Sequence, residues 1–593
     1  MPKPIAFLPV VMAVVALSGV AWAQTPAGPE AVLDRVPAGA VVVVVIENAG
    51  KAGANADQFL KSVSPPDEPI LPATVIEMIQ AQFGIGEGFE PAGGFAAALL
   101  DPKPYGLELG EIFAGKRKDG SKITSDMVPL VVLIPGAAPA KLFALRKPTT
   151  AEGVVQFAGE DGRPRYCLEA GGHVVLGANL QAVKAVAAGG GSIRASLSQA
   201  DQAFFQSHDA SVWIDAARLA PLIAMRLVTV RGESKAGGGM LAALLALKGD
   251  DGAQWQAVLG QMQSAVVGLR FAKEGLYIEA AGAFRADSEM GKALAGGVPA
   301  GAGLFDRLPG PPYVLGLGVL NAPATPEKVL AGRIDAVLAA PPYQGLPDDA
   351  KARFRAAALA LAGQVKSTQL HLGPLSSPLR LAYVIRCASS ADARRQVAEI
   401  VAVAAQAVAA GSDKRLEGVS LTHQANAAKV AGRDADVITM SLASPTDAQR
   451  KRARALLGSE SLRLVVVEAG PEALLIAQDG DAEALADAVA VAEKGSGRIP
   501  ADAGVAKALA LLPAKRTAAG VLNARHLQAV VKAVRAASGG KPVDVGIDSD
   551  VPFAGAVSVE GTSVRLTIVL PTETVREVMK VVSALLGAAA EGV

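Results

Sequence analysis

Two hairpins with the same hydrophobic pattern stand far apart in the chain. Residues 264–284 alternate apolar and polar positions around a Lys-Glu-Gly turn, and residues 552–570 do so around Glu-Gly-Thr. Strict alternation over this length is typical of half-buried strands, so both segments are predicted to form antiparallel hairpins with one apolar face. A helical pattern follows each hairpin, over 288–294 and 575–586. The pattern therefore predicts one local structure at two places.

A longer segment also recurs. A strand pattern over 169–177 leads to a helical pattern, a glycine-rich break, a second helical pattern and a strand ending near 216. The same order runs from 468 to 524, and the strand entries at 37–48 and 308–321 match more loosely. We interpret the chain as two duplicated halves. The period is far longer than that of a solenoid, so the halves are predicted to be globular.

The fold class follows from combining these patterns. Strands with one apolar face and helices with one apolar stripe predict α+β halves, in which amphipathic helices cover one side of a mostly antiparallel sheet. Ser389 with Asp392 resembles the capping box that begins such a helix. Residues 296–303 are rich in Gly, Ala and Pro and are the expected linker. The predicted organisation is a signal peptide over 1–23, a first half over 24–300 and a second half over 301–593.

The N-terminus predicts export. Lys3 precedes an uncharged apolar run over 5–20, and Ala21-Trp22-Ala23 offers small residues where a signal peptidase cuts. Cleavage near Ala23 would place the mature chain in the periplasm or outside the cell, and an uncleaved anchor is the open alternative. No later run reaches the roughly 18 apolar residues of a spanning helix, so no transmembrane segment is expected in the mature chain.

Charge excludes several classes of partner. The chain has 57 basic and 56 acidic residues, and the leader holds one Lys and no acid, so the mature chain has 57 − 1 = 56 against 56. Nucleic-acid and polybasic membrane binding depend on clustered Lys and Arg, so neither is expected. The cores must come from Val, Leu and Ile, because aromatic residues make up only 4% of the chain.

Cysteine and histidine indicate little chemistry. The two cysteines, Cys167 and Cys387, could form a disulfide in an oxidising compartment or could be two buried small side chains. The five histidines have no helical metal-ligand spacing, and we interpret them as surface or singly packed residues. They are His173, His208, His371, His423 and His526.

Other motifs favour structural roles. There is no G-x-S-x-G elbow and no P-loop, and the glycines at 84–88 follow a helical run, which predicts a helix end rather than a dinucleotide loop. Asp215 and Asn523 occupy matching positions before helical turns and are predicted N-caps, as are Asn48 and Asn321. The acids at 250–251 and 348–349 are expected at helix starts, and Asp544, Asp548 and Asp550 in a solvated turn rather than a calcium loop. No catalytic, cofactor-binding or metal-binding residue is predicted.

Five segments carry a resemblance: the predicted signal peptide, the strand entry 36–43, the Gly-Gly corner and strand at 92–99, the strand 129–135 and the turn and strand 172–177. Together they resemble a loose group of secreted bacterial proteins that carry a repeated domain of unknown function. The resemblance covers most of the first half and implies exported chains of repeating α+β units. It implies no catalytic residues.

Three functions are consistent with these observations. The leading hypothesis is an exported, non-catalytic binding or structural protein of the bacterial cell envelope. The alternative is a periplasmic carrier of a lipid or other apolar ligand, since Ala and Gly on a helix-covered sheet could leave room for one, although an ordinary filled core also explains the composition. A hydrolase whose His, acid and nucleophile converge from distant positions is the third.

Overall fold

The computed structural model describes residues 30–64, 74–159, 161–220, 258–297, 301, 303–320, 327–374, 376–377, 379–411, 416, 418–442, 445–447, 450, 454, 459–537 and 546–580. The predicted signal peptide lies outside these residues, as do Asn321, the acids at 250–251, and Asp544. The chain divides into two compact units, and among the described residues the first holds 30–220 and 258–285 and the second holds 286–580. The boundary expected at residues 300 and 301 stays a prediction.

The first unit is built on an antiparallel sheet. Its described strands pair in the order β4-β5-β6-β7-β3-β2-β1-β8-β9-β10. The predicted hairpin at 264–284 is therefore confirmed and lies at one end of this order. The strands are β1 (Ala40–Ile46), β2 (Phe95–Leu100), β3 (Leu130–Pro135), β4 (Thr149–Ala151), β5 (Val154–Ala158), β6 (Pro164–Ala170), β7 (His173–Gly177), β8 (Ala210–Ile214), β9 (Met262–Ala272) and β10 (Gly275–Phe284).

The second unit is also built on an antiparallel sheet. Its described strands pair in the order β14-β15-β16-β17-β13-β12-β11-β18-β19-β20. The predicted hairpin at 552–570 is confirmed as the last pair. The strands are β11 (Leu315–Leu320), β12 (Val365–Leu372), β13 (Leu381–Cys387), β14 (Val419–Val430), β15 (Arg433–Leu442), β16 (Ser461–Gly470), β17 (Ala473–Gln478), β18 (Ala518–Leu522), β19 (Phe553–Glu560) and β20 (Ser563–Pro571).

The two units have the same strand order: adding ten to each strand number of the first unit gives the order of the second. Residues can therefore be matched through the ladders. Val44 pairs with Val212 of β8, and Leu317 pairs with Gly520 of β18. Because Asp215 directly follows β8 and Asn523 directly follows β18, these pairs occupy corresponding places. On this basis the β1 residues 42, 44 and 46 correspond to the β11 residues 315, 317 and 319.

Helices cover both faces at the centre of the first unit. Val43 and Val45 of β1 pack with α1, α6 and α7, whereas Val44 and Ile46 pack with α2, α3 and α5. The expectation of helices on one side only is therefore wrong here, because all seven residues of β1 are buried. The helices are α1 (Glu30–Arg35), α2 (Ala49–Val63), α3 (Val75–Phe83), α4 (Leu109–Ala114), α5 (Pro139–Leu142), α6 (Leu180–Ala188) and α7 (Gln199–Ser207).

Helices also lie on both faces of part of the second sheet. Val466 of β16 packs with Ala393 and Val397 of α12, and α13 contacts β16 and β17. The helices are α8 (Glu289–Ala295), α9 (Glu327–Leu338), α10 (Pro341–Gln344), α11 (Asp348–Gln364), α12 (Ser390–Ala409), α13 (Ala482–Lys494), α14 (Ala503–Ala510) and α15 (Ala524–Ala537). Residues 572–580 are helical as well. Within the part of the chain that is described, no helix combines the length and the apolar character that crossing a bilayer requires.

Candidate functional site

Three of the five histidines are buried, which for these three favours the singly packed alternative over the surface one. His173, His208 and His371 are each less than 9% exposed, whereas His423 and His526 are half-buried. Burial lowers the pKa of His173, and it lowers the pKa of His371 to about 4. In the described ranges no three His, Cys, Asp or Glu side chains are grouped as metal ligands would be.

His208 lies closest to a catalytic arrangement. Its Nδ1 is 2.7 Å from the Phe204 carbonyl oxygen and 3.0 Å from Ser207 Oγ, and its Nε2 is 3.4 Å from Glu279 Oε2. A carbonyl oxygen only accepts hydrogen bonds, so Nδ1 is the donor and has no lone pair left for the Ser207 proton. Ser207 Oγ itself donates to Phe204 O at 2.9 Å. The group is therefore a structural anchor rather than a Ser-His-acid triad. Sequence reasoning missed this cluster, because Glu279 comes from a distant strand.

The predicted caps are confirmed where they are described. Asp215, Asn523 and Asn48 each accept a hydrogen bond from the backbone N three residues on, at 3.1, 3.1 and 2.7 Å. Gly84 ends α3 in the left-handed conformation, with φ of 65°, as the helix-end interpretation predicts. These polar residues therefore satisfy backbone groups at helix ends.

Both cysteines are buried free thiols. Cys167 lies on β6 and Cys387 on β13, and neither is part of a disulfide. Burial raises the pKa of both thiols, that of Cys167 to about 12. Since the thiolate is the reactive form, these side chains behave as small apolar residues.

The second unit contains a partly buried ionic cluster between α12 and the sheet, in which Asp436 is the buried member. Arg394 donates to Asp436 and to Asn426 Oδ1, and its Nη1 is 3.3 Å from Glu468 Oε1. His423 Nε2 lies 3.2 Å from the second oxygen of Asp436. Burial acts to raise the pKa of Asp436, but hydrogen bonds from Arg394 and Asn426 bring it below its usual value. The carboxylate is thus fully engaged, and the cluster fastens α12 to the sheet.

A cleft of about 330 Å³ lies between α9 and α11. Its rim carries the Asp335–Arg355 ion pair, with an N–O distance of 2.9 Å, together with Lys351. Both partners of the ion pair are about half exposed, so the pair contributes little to stability. Nothing in the cleft forms a convergent polar site.

The most distinctive surface is an apolar face of the second sheet, which we name the open face. Each of its strands alternates residues that face helices or loops with residues that are half-exposed or exposed. Leu317 and Val319 are both 37% exposed and Leu566 is 39% exposed. None of its residues is charged. They are Leu315, Leu317 and Val319 on β11, Thr368, Leu370 and Leu372 on β12, Ala518, Gly520 and Leu522 on β18, Phe553, Gly555 and Val557 on β19, and Leu566, Ile568 and Leu570 on β20.

The corresponding centre of the first unit is covered by α2. Val44 and Ile46 are 4% and 2% exposed, because Ala49 and Ala52 of α2 pack beside them, and Val42 is 6% exposed in a separate cluster with Leu99 and Leu219. The helix is fastened further along by its contacts with β9 and the residue before β8. Asn55 Nδ2 donates to Asp209 Oδ1 at 2.7 Å, and the rings of Phe59 and Phe271 are 5.8 Å apart.

The helix that follows β11 packs elsewhere. Ile334 and Leu338 of α9 belong to a cluster with Ala350 and Phe354 of α11 and two residues of α12, and the cluster contains no strand residue. Among the described residues, the helix corresponding to α2 therefore leaves the open face uncovered. A contiguous apolar patch on a protein surface often marks a binding site.

No protein-family model matches this chain, and no curated protein and no solved structure matches it. The resemblance to secreted bacterial proteins accordingly stays a prediction.

The sequence contained the pattern of the open face but not its exposure. The alternation at 552–570 correctly predicts an apolar side. However, a strand whose apolar face is half exposed has the same sequence pattern as one whose apolar face is packed. The available signal was Gly520 beside Gly555, two glycines within strands where branched residues are usual.

Proposed function

We propose that this chain is an exported, non-catalytic binding protein of the bacterial cell envelope that holds an apolar ligand against the open face. Export rests on the predicted signal peptide, and location in the periplasm or outside the cell follows from it. A role as carrier of a lipid or other apolar molecule fits this surface better than a purely structural role. The observation that carries the proposal is the exposure of Leu317, Val319 and Leu566 on an uncharged sheet face.

Duplication of an ancestral unit is part of the proposal. The shared strand order supports it, and so does the placement of every recurring sequence segment on corresponding strands. After duplication, one copy would keep a helix over the sheet while the other would present the sheet to a ligand. The resemblance to exported proteins with repeated α+β domains is consistent with this history.

The size of the open face favours a small ligand over a protein. Five strands about 4.8 Å apart and three rows of side chains along each give a footprint of roughly 24 Å by 17 Å, on the order of 400 Å². A stable protein partner usually covers about 800 Å² on each side. The open face is about half of that, whereas a drug-sized or lipid-sized molecule can bury most of its own surface on it.

The test compares two exposed leucines. Protein extracted gently from its native host, or exposed to a lipid extract, is analysed by native mass spectrometry as wild type, Leu317→Asp and Leu145→Asp. Leu145 is 75% exposed in the first unit and lies off the open face, so it controls for loss of surface leucine. We expect apolar adducts on the wild type and on Leu145→Asp, and their loss from Leu317→Asp. Adducts that are absent from the wild type, or equally abundant on all three proteins, would contradict the proposal.

A further inference from the structure

We infer that the occupant of the open face is one unbranched acyl chain of a monomeric lipid, lying along β18 and β19 over Gly520 and Gly555. The inference rests on the proposed function and specifies its ligand. Its basis is the uncovered apolar face and the heights of the side chains across that face.

The register of four strands places small and large side chains side by side on the open face. Gly520 pairs with Gly555 across β18 and β19, Leu317 of β11 borders Gly520, and Ile568 of β20 borders Gly555. In the next row Ala518 and Val557 form the floor, between Val319 and Leu566. Large side chains thus line a trough over these two rows, and Leu522 and Phe553, which pair in the third row, close one end of it.

The fold itself does not require these glycines. A Cβ on Gly520 would lie 3.5 Å from Leu317 Cδ1, and one on Gly555 would lie 3.6 Å from Thr567 O, both ordinary contacts. Neither residue has a positive φ. Glycine within a strand weakens it, and such a residue often marks a place where a ligand approaches the backbone. The first unit has Val212 and Val267 at the corresponding positions, and Val267 is 37% exposed.

The shape and charge of the trough select the ligand class. It extends over two rows, about 10 Å along the strands at about 3.3 Å per residue, and its borders on β11 and β20 are about 14 Å apart before side chains are counted. A flexible linear hydrocarbon can lie between Leu317 and Ile568 and bend over Leu522 and Phe553, whereas a rigid fused ring system cannot follow this step in the floor. The absence of charge on the open face matches a hydrocarbon, and the small footprint disfavours a second copy of this chain.

The decisive variant transfers the first unit's residues into the trough. Gly520→Val with Gly555→Val fills the floor, and valine favours strands, so the folded state should be retained or stabilised. Palmitic acid binding to the mature protein is measured by fluorescence displacement, with cholesterol as the bulky probe. Thr150→Val, on the exposed strand β4, controls for an added valine. We expect the double variant to weaken palmitate binding at least tenfold, with an unchanged or higher melting temperature, and the control to bind as the wild type does.

Other outcomes overturn the inference in distinguishable ways. If the double variant binds palmitate as well as the wild type while Leu317→Asp does not, the trough assignment fails and the proposed function stands. If the protein binds cholesterol but not palmitate, the trough assignment likewise fails and the proposed function stands. If light scattering shows a dimer that Leu317→Asp dissociates, the occupant is a second copy. If the wild type binds no apolar probe, the inference and the proposed function fail together.

Discussion

The two units differ in where the helix that follows their first strand packs. In the first unit α2 lies on the sheet and buries Val44, whereas in the second unit α9 packs on α11 and α12 and leaves Leu317 exposed. The strand orders are otherwise the same. The comparison teaches that strand order alone does not determine which face is covered, because the helix's own apolar stripe decides its partner.

The opposite face of each sheet shows a second difference. In the first unit Val43 pairs with Ala98 on neighbouring strands, and the corresponding pair in the second unit is Gly316 with His371. The larger side chain of the pair is on β1 in the first unit and on β12 in the second, so the two pairs differ in chemistry. The second unit therefore has a buried titratable group, His371, where the first unit has Ala98.

The largest expected effect comes from placing a charge at corresponding positions of the two sheets. Val44→Asp buries an unpaired carboxylate beneath α2 and should destabilise the first unit by about 4 kcal/mol. Leu317→Asp places the same charge on an exposed strand position and should cost less than about 1 kcal/mol. Hydrogen exchange resolved by unit measures both, since the two units need not unfold together. Equal losses of stability in the two variants would contradict the difference in burial between these two positions.

Acidification should destabilise the second unit through His371. Its folded-state pKa is about 4, below the ordinary value of 6.5, so the unfolded chain binds more protons at intermediate pH. Stability from this group is complete above pH 6.5 and is lost as the pH falls towards 4, by about 2 kcal/mol between pH 7 and pH 5. His371→Leu should remove that part of the pH dependence in denaturant titrations. An unchanged pH profile in the variant would show that His371 is not the group responsible.

The smallest expected effect concerns the polar contact that holds α2. Burial raises the pKa of Asp209, whose carboxylate accepts hydrogen bonds from Asn55 and from the Phe271 backbone. Asn55→Ala leaves one of its oxygens without that donor and should destabilise the first unit by about 1–2 kcal/mol. Protection of α2 amides from exchange should fall, while α9 amides stay unchanged. Equal loss at both helices would argue against a local effect.

The sequence predicted the local elements well and the long-range contacts poorly. The hairpins at 264–284 and 552–570, the caps at Asp215 and Asn523 and the helix end at Gly84 follow from residues a few positions apart. The Glu279–His208 contact joins residues 71 positions apart (279 − 208), and the packing of α9 on α11 depends on which apolar stripes meet. Such contacts depend on tertiary packing, which local patterns do not specify.

Thiol reactivity tests the central difference between the units most directly. Cysteine is introduced at the corresponding positions, as Val44→Cys and as Leu317→Cys, in protein without bound ligand. The native thiols Cys167 and Cys387 are buried and give a low background. We predict that the thiol at 317 reacts with a maleimide at close to the rate of an exposed cysteine and that the thiol at 44 reacts at least a hundredfold more slowly. Similar rates at the two positions would contradict the account.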